Sequence, residues 1–155
     1  TFSDYAAGTK GEFPFQVFNP HYLRSAHYHF DNVPWMREAL ARPLYVNTQD
    51  AEQLGVKEGD TVVVRGTHGA VLRPVCVTGR IMPGVVALPH GGKFEYDEEL
   101  KMSLGGNDNF LTAPVSTGMG VSGYNTQKCA VEKYAGEPLV CDGERELSMP
   151  QCQGE

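Results

Sequence analysis

The sequence predicts a mainly β domain, barrel-like in outline and built from many short elements. The 155 residues include 18 glycines and 10 prolines, which favour turns and interrupt helices. Between residues 44 and 91, short hydrophobic stretches alternate with these turn formers. A chain of this length is sufficient for one domain with a hydrophobic core.

The first elements precede that hydrophobic run. Residues 1–12 are small and polar and are predicted to be loose, whereas 13–18, FPFQVF, alternates as a strand does. The aromatic and polar stretch 19–43 is expected to contain a short helix from Trp35 to Leu40, which ends before Pro43.

A strand, a helix and a turn follow. Residues 44–47, LYVN, form the predicted strand, and Thr48 is a suitable N-cap for the helix after it. Asp50 and Glu52 suit the positive first turn, and Gly55 is expected to end the helix in the left-handed conformation.

The next strands are 61–66, TVVVRG, and 71–79, VLRPVCVTG. Between them Gly69 is expected to have a positive φ, and Pro74 predicts an edge or a bulge. A type II turn with Pro83 and Gly84 at its centre leads into a buried strand, VVALPHGG.

The rest of the chain alternates between loop and strand. Residues 92–127 are predicted to be a long irregular segment, and KCAVEKY, 128–134, a last strand. The predicted domain covers residues 13–137, and the polar tail 138–155 is expected to have little order after Pro138.

Composition and motifs exclude several functions. The net charge of −6 argues against non-specific binding of nucleic acid. No run is long enough to span a membrane, and the first residues lack the features of a signal peptide. The sequence has no G-x-S-x-G elbow, P-loop or H-E-x-x-H motif. It therefore favours a domain that holds a ligand and has no catalytic residue of its own.

The four cysteines, Cys76, Cys129, Cys141 and Cys152, are widely spaced and contain no C-x-x-C pair. This spacing disfavours a zinc or iron–sulfur site. Cys76 lies between two valines and is predicted to be a buried core thiol, while a disulfide among the other three stays open.

Asn47 and Asp50 form the first candidate binding site, at the end of a predicted strand. A carboxylate accepts two parallel hydrogen bonds from adjacent N–H donors, and guanine offers N1–H and N2–H₂ on one edge, whereas adenine does not. Asn47 can add a donor and an acceptor. The alternative is that both residues only cap a helix or shape a turn.

The segment RSAHYHFDN, 24–32, offers three interpretations. His27 and His29 would share one face of a strand and could bind a metal together with Asp31. Alternatively, the histidines form hydrogen bonds within a loop. In the third interpretation, Arg24 and His27 bind a phosphate or a pterin.

Two glycine-bearing loops are further candidates. His90 is followed by Gly91 and Gly92, and LGGNDNFLT spans residues 104–112. Glycines at these positions would allow a ligand to approach the backbone closely.

The ordered motifs resemble a known family. N-x-x-D-A, LGVKEGD, RIMPGVVALPHG, GGNDNFLT and GYNTQKCAVE, with AHYHFDN upstream, are similar to the C-terminal dinucleotide-binding domain of dimethyl sulfoxide reductase family molybdenum oxidoreductases, over residues 13–134. The resemblance implies a double-psi β-barrel. It also implies a cofactor, molybdopterin guanine dinucleotide, whose molybdenum or tungsten is held through other domains.

The resemblance also implies roles for particular residues. Asn47 and Asp50 would bind the guanine. The pterin and phosphate path would be lined by His27, His90, Gly91, Asn109, Gln127 and Arg24. Tyr28 stands where the family has a serine, and Lys93 where the family commonly has tryptophan; Lys93 could pair with a phosphate instead.

The family's metal-ligating domains are missing from this sequence, so we expect a domain of a longer polypeptide that has no turnover alone. The resemblance implies as partners the preceding domains, an iron–sulfur electron-transfer subunit and a membrane anchor subunit, in a periplasmic or membrane-associated complex. An alternative is a free-standing double-psi barrel that recognises proteins, as in some AAA ATPase N-terminal regions. A pyruvoyl-dependent decarboxylase would need Gly-Ser, but this chain has Ser122–Gly123.

Overall fold

The computed structural model describes residues 11–23, 26–112 and 127–144. Its strands are β1 (Phe15–Phe18), β2 (Leu44–Asn47), β3 (Thr61–Arg65), β4 (Ala70–Thr78), β5 (Val85–Ala87), β6 (Tyr96–Asp97), β7 (Met102–Ser103) and β8 (Lys128–Lys133). The helices are α1 (Pro34–Ala39) and α2 (Thr48–Leu54), and a 3₁₀ turn covers Asp108–Phe110. No helix in these described ranges has the length and apolar character needed to cross a bilayer.

Six strands close into a barrel. Their hydrogen-bonded order is β2–β5–β1–β8–β3–β4, and β4 pairs again with β2. The β1–β5 and β2–β4 pairs are parallel, whereas β1–β8, β2–β5, β3–β4 and β3–β8 are antiparallel. The short strands β7 and β6 extend the sheet outward from β4. The predicted double-psi β-barrel is confirmed.

The hydrophobic composition of β3 follows from its position. Val62 and Val64 lie in the main core, whereas Val63 packs in a second cluster with Leu72 and the partly buried Leu139. Successive strand residues point to opposite faces of a sheet. Because both faces of β3 are covered, its three central residues are all valine instead of alternating with polar residues.

Strand β4 changes partners at Pro74. Residues Ala70–Pro74 pair with β3, and Val75–Thr78 pair with β2. Proline has no amide hydrogen and is tolerated where one ladder ends and the next begins. The sequence predicts an edge or a bulge at Pro74, and the structure has this change of partner there instead.

The structure confirms two of the predicted glycine conformations and corrects a third. Gly55 ends α2 with φ 66°, and Gly84 has φ 81° in a turn closed by the Val85 N–H and the Met82 carbonyl. Gly69 has no positive φ, so that prediction is wrong. A Cβ at Gly69 would lie 2.7 Å from the Phe110 carbonyl oxygen, so close packing requires the glycine.

The later segments are more ordered than the sequence predicts. Strands β6 and β7 form a short ribbon within the predicted loop 92–127, of which 113–126 lies outside the described residues. The expectation of little order after Pro138 is wrong for residues 139–142, because the Leu139 N–H donates to Thr61 Oγ1 and the Asp142 side chain is buried. A hydrophobic and ionic contact therefore holds this part of the tail on the barrel.

Candidate functional site

Asn47 ends β2 and is the N-cap of α2. Its Oδ1 accepts a hydrogen bond from the Gln49 N–H at 2.8 Å, and its Nδ2 donates to the Ile81 carbonyl at 2.7 Å. The N-cap predicted at Thr48 is therefore wrong by one residue, because the asparagine satisfies a free amide of the first turn. Asn47 thus joins the start of α2 to the loop before β5.

Asp50 is buried in the first turn of the same helix. Its Oδ2 accepts a hydrogen bond from the Gly84 N–H at 2.7 Å. Its Oδ1 makes no hydrogen bond to the part of the chain that the structure describes. A carboxylate can accept about four hydrogen bonds, so Asp50 retains the capacity to accept N–H groups of a ligand.

Three histidines from separate segments meet beside the 3₁₀ turn. Nδ1 of His27 lies 2.8 Å from Nε2 of His90, and Nδ1 of His90 lies 2.8 Å from Oδ2 of Asp108. The ring of His21 stacks on that of His90, with centroids 4.4 Å apart. Asp108 is fully buried, and its Oδ1 accepts the Gly91 N–H at 3.1 Å. The predicted residues His27, His90 and Gly91 are thus brought together through Asp108, whose role the sequence does not reveal.

Arg42 links the backbone at His27 to the backbone at His90. Its Nη1 donates to the His90 carbonyl at 2.6 Å, and its Nη2 donates to the His27 carbonyl at 3.1 Å and to Asp31 Oδ1 at 2.9 Å. His27 has φ 55°, a conformation uncommon for residues other than glycine. The bond from Arg42 to its carbonyl helps to hold that conformation.

Asp142 connects Arg42 to the barrel. Its Oδ2 accepts the Arg42 backbone N–H at 3.3 Å and a hydrogen bond from Arg73 Nη2. Arg73 is fully buried and also donates to the Leu104 carbonyl at 2.9 Å. The sequence does not predict this network, because neither an arginine before a proline nor an aspartate in a polar tail forms a recognisable motif.

The glycines of the two loops bring parts of the chain together. A Cβ on Gly91 would lie 2.3 Å from the His27 carbonyl oxygen, and one on Gly92 would lie 2.7 Å from the Gly105 carbonyl oxygen. The close approaches that require these glycines are therefore to the chain itself, and the expected approach of a ligand to the Gly91 backbone stays a prediction.

Three other predicted residues differ in how much the structure says of them. Asn109 is exposed in the 3₁₀ turn beside Asp108. Gln127 precedes β8, and its Oε1 is buried with no hydrogen-bond partner among the described residues. Buried polar atoms normally have a partner, so this oxygen marks a place where a ligand donor or a water would fit. Arg24 lies outside the described residues.

The proposed metal pair is not formed. Residues 27–30 form turns and not a strand, and His29 Nδ1 lies 2.7 Å from the Ala26 carbonyl oxygen. No cluster of three or more metal-ligating side chains occurs within the part of the chain that the structure describes. The alternative, a histidine that makes a hydrogen bond within a loop, is confirmed for His29.

The three cysteines that the structure describes differ in burial. Cys129 is fully buried on β8, and burial raises the pKa of its thiol to about 12. Cys76 is only partly buried, so the prediction that it belongs to the core is wrong; burial and then the nearby Glu58 raise the pKa of its thiol. Cys129 and Cys141 are not bonded to each other, and Cys152 lies outside the described residues.

The two groups of candidate residues flank the same strand. Gly84, which is bonded to Asp50, precedes β5, and His90 follows it. At roughly 3.3 Å per residue, the chain from Gly84 to His90 spans at most about 20 Å. One elongated ligand, with a base at one end and a polar ring at the other, could contact both groups.

Comparison with known proteins identifies the family. Residues 15–128 match the family model described as "Molydopterin dinucleotide binding domain". The chain belongs to this family. The match begins with β1 and ends at the first residue of β8, so it includes five of the six barrel strands in full and confirms the resemblance. It favours the cofactor-binding interpretation over a protein-recognition module of the AAA ATPase type.

Members of known function are much longer than the matched region. Dimethyl sulfoxide reductase DmsA of Escherichia coli strain K12 is 32% identical over 111 residues, which are 72% of this chain and 14% of that protein. A trimethylamine-N-oxide reductase of Haemophilus influenzae is 27% identical over 143 residues, or 86% of this chain and 17% of that protein. The chain thus spans less than a fifth of the length of these relatives.

One solved structure shares the fold of this chain at low sequence identity. Acetylene hydratase from Pelobacter acetylenicus superposes with a TM-score of 0.66 and 20% identity, over 86% of this chain and 20% of that one. At this identity the likeness concerns the fold alone.

Proposed function

We propose that the chain binds the guanine of a molybdopterin guanine dinucleotide through Asp50. The observation that carries this proposal is the buried Asp50 carboxylate, whose Oδ1 makes no hydrogen bond to the described residues, in a chain of the dinucleotide-binding family. Guanine presents two adjacent N–H donors that a carboxylate accepts in parallel. The Gly84 N–H fixes the orientation of the carboxylate and leaves acceptor capacity on both oxygens.

Asn47 has a supporting part in the proposed guanine pocket. Its side-chain amide uses one lone pair on the Gln49 N–H and one hydrogen on the Ile81 carbonyl. An amide has two donor hydrogens and two acceptor lone pairs, so one of each remains for the base. The bonds already made fix the plane of the amide, so no rotamer entropy has to be lost when the base binds.

The proposed pterin and phosphate path runs along the opposite end of β5. His27 and His90 are held there by Asp108 and Arg42. The buried Oε1 of Gln127, which has no partner within the described residues, fits a donor on the cofactor. We assign Asn109, Gly91 and Arg24 to the same path, on the family's pattern.

Calorimetric titration with guanosine and adenosine diphosphates tests the guanine pocket. Wild type should prefer the guanosine nucleotide, and Asp50→Ala should lose that preference. A hydrogen bond to a charged group contributes about 1.5–3 kcal/mol, so the loss should be at least about tenfold in Kd. Glu52→Ala removes an exposed carboxylate from the same helix and should change nothing. Equal guanosine affinity in wild type and Asp50→Ala would contradict the assignment.

We propose further that the chain is the cofactor-binding domain of a larger oxidoreductase subunit that reduces an S-oxide or an N-oxide. The named activities of the relatives support this proposal, as does their greater length. In such a subunit the other domains would hold the molybdenum or tungsten. An iron–sulfur subunit would deliver electrons, and a membrane anchor subunit would place the complex at the periplasmic face of a membrane during anaerobic respiration.

Two measurements test this larger assignment. The chain alone should not oxidise a reduced viologen dye with dimethyl sulfoxide or trimethylamine N-oxide as acceptor. An antibody raised against the chain should detect, in extracts of the source cells, a polypeptide several times its 17.0 kDa mass. Turnover by the chain alone, or a native protein of the chain's own size, would contradict the proposal.

A further inference from the structure

We propose that Asp108 is a positioning residue that sets the direction of the hydrogen bonds through His90 to His27, so that Nε2 of His27 carries a lone pair. The inference gains its functional meaning from the proposed place of these histidines on the cofactor path. Its structural content follows from the contacts of Asp108, His90 and His27 alone.

Asp108 determines which ring nitrogen of His90 carries the hydrogen. A carboxylate accepts hydrogen bonds and donates none. Oδ1 of Asp108 accepts the Gly91 N–H, a backbone donor that cannot reverse, and Oδ2 lies 2.8 Å from Nδ1 of His90. Nδ1 of His90 must therefore carry the hydrogen. In a neutral imidazole, the other nitrogen, Nε2, then carries a lone pair.

His90 in turn determines which ring nitrogen of His27 carries the hydrogen. Nδ1 of His27 lies 2.8 Å from Nε2 of His90, so one of these nitrogens must donate. Because Nε2 of His90 carries the lone pair, Nδ1 of His27 donates. Nε2 of neutral His27 consequently carries a lone pair as well. The orientation of one buried carboxylate is thus transmitted through two rings to an exposed side chain.

The surroundings of the rings prevent an easy rearrangement. His21 stacks on His90 with an angle of 18° between the ring planes, and the His90 side chain is only 9% exposed. Arg42 holds the carbonyls of both His27 and His90 and is itself paired with Asp31. In the described part of the chain, Asp108 and His21 contact the rings, and Arg42, paired with Asp31, contacts the backbone of both histidines.

The direction of these hydrogen bonds determines which chemical group Nε2 of His27 can bind. A nitrogen with a lone pair accepts a hydrogen bond from an N–H group, such as those on a pterin ring. A phosphate oxygen offers lone pairs only and would require a protonated His27. The geometry points to the N–H edge of the pterin as the partner of His27, and not to the diphosphate.

Nitrogen-15 NMR of the histidine-labelled chain tests the proposal with no ligand present. Near pH 8, above the ordinary histidine pKa of about 6.5, correlations between ring carbon-bound hydrogens and nitrogens identify the tautomer. Wild type should show His90 and His27 with hydrogen on Nδ1 and a lone pair on Nε2. Hydrogen on Nε2 of either ring would overturn the proposal, whatever the outcome of the nucleotide titrations.

Asp108→Asn provides the sharper test, because it should reverse the direction. The amide oxygen is expected to keep the Gly91 N–H, which places Nδ2 opposite Nδ1 of His90 as a donor. Both His90 and His27 should then move their hydrogens to Nε2. Asp31→Asn makes the same charge change beside Arg42 and touches neither ring, so its spectrum should match wild type.

Unchanged tautomers in folded Asp108→Asn, or a switch in Asp31→Asn, would overturn the role of Asp108. If Asp108→Asn does not fold, the wild-type spectrum alone decides.

Discussion

Replacing Asp142 by alanine should destabilise the chain strongly, although Asp142 lies in a segment that looks like a polar tail. Its Oδ2 bonds to Arg73 and to the Arg42 backbone N–H. The side chains of Arg73 and Asp142 are 0% and 10% exposed. Asp142→Ala therefore leaves a buried guanidinium without its counter-charge.

The expected loss follows from this burial. Removing one partner of a buried ion pair costs about 3–5 kcal/mol, because the other charge stays desolvated. Arg73 keeps its bond to the Leu104 carbonyl, which offsets only part of the loss. The free energy of unfolding should therefore fall by about 3 kcal/mol, the lower end of that range.

Urea unfolding followed by circular dichroism measures the change, because a lower midpoint with an unchanged slope reports lost stability. Glu98→Ala is the matched control: it also removes one carboxylate, but from an ion pair with Lys101 whose side chains are 80% and 71% exposed. Such exposed pairs contribute about 0–1 kcal/mol. A loss in Asp142→Ala no larger than in Glu98→Ala would refute the reasoning.

Three further predictions concern the buried residues Gly91 and Cys129. Gly91→Ala should lower Tm more than Gly55→Ala. Both glycines have a positive φ, which costs about 1–2 kcal/mol for alanine, but only the Gly91 Cβ would meet a backbone carbonyl oxygen, at 2.3 Å. Equal Tm values in the two variants would contradict this. Cys129 should react with a thiol reagent only as fast as the chain unfolds, whereas the exposed Cys141 should react at once. Burial raises the Cys129 pKa from 9.0 to about 12, so the unfolded state loses this proton first and the free energy of unfolding should decrease as the pH rises from 9 towards 12. Prompt labelling of Cys129, or a stability that does not decrease over this pH range, would show that the thiol is not buried in solution.

The features predicted correctly from the sequence are turns and helix ends that depend on the residues at those positions. The turn at Pro83–Gly84 and the end of α2 at Gly55 depend on the residues at those positions, and the structure has both. The N-cap lies one residue before the predicted position. Asn47 and Thr48 both have capping side chains, and the asparagine also donates to the Ile81 carbonyl, a tertiary contact that the sequence does not show. The positive φ predicted for Gly69 is wrong, because glycine is required there for the close approach of the Phe110 backbone from another part of the chain.

The candidate site was predicted only in part, for the same physical reason. Asn47 and Asp50 are three residues apart and form a recognisable pattern, whereas the histidine cluster depends on contacts between segments far apart in sequence. Asp108 contacts His90 from another loop, and Asp142 reaches back to Arg42 across 100 residues. A single sequence carries no signal for such pairs, because Asp and Arg are common on any surface.

The central claim, that Asp50 reads a guanine edge, can be tested by a change of specificity. Asparagine offers one acceptor and one donor where aspartate offers two acceptors. Xanthine presents N1–H and a C2 carbonyl where guanine presents two donors, so Asp50→Asn should bind xanthosine diphosphate and lose guanosine diphosphate. Wild type should show the opposite preference in the same calorimetric titrations. Preference for guanosine diphosphate in both proteins would contradict the account.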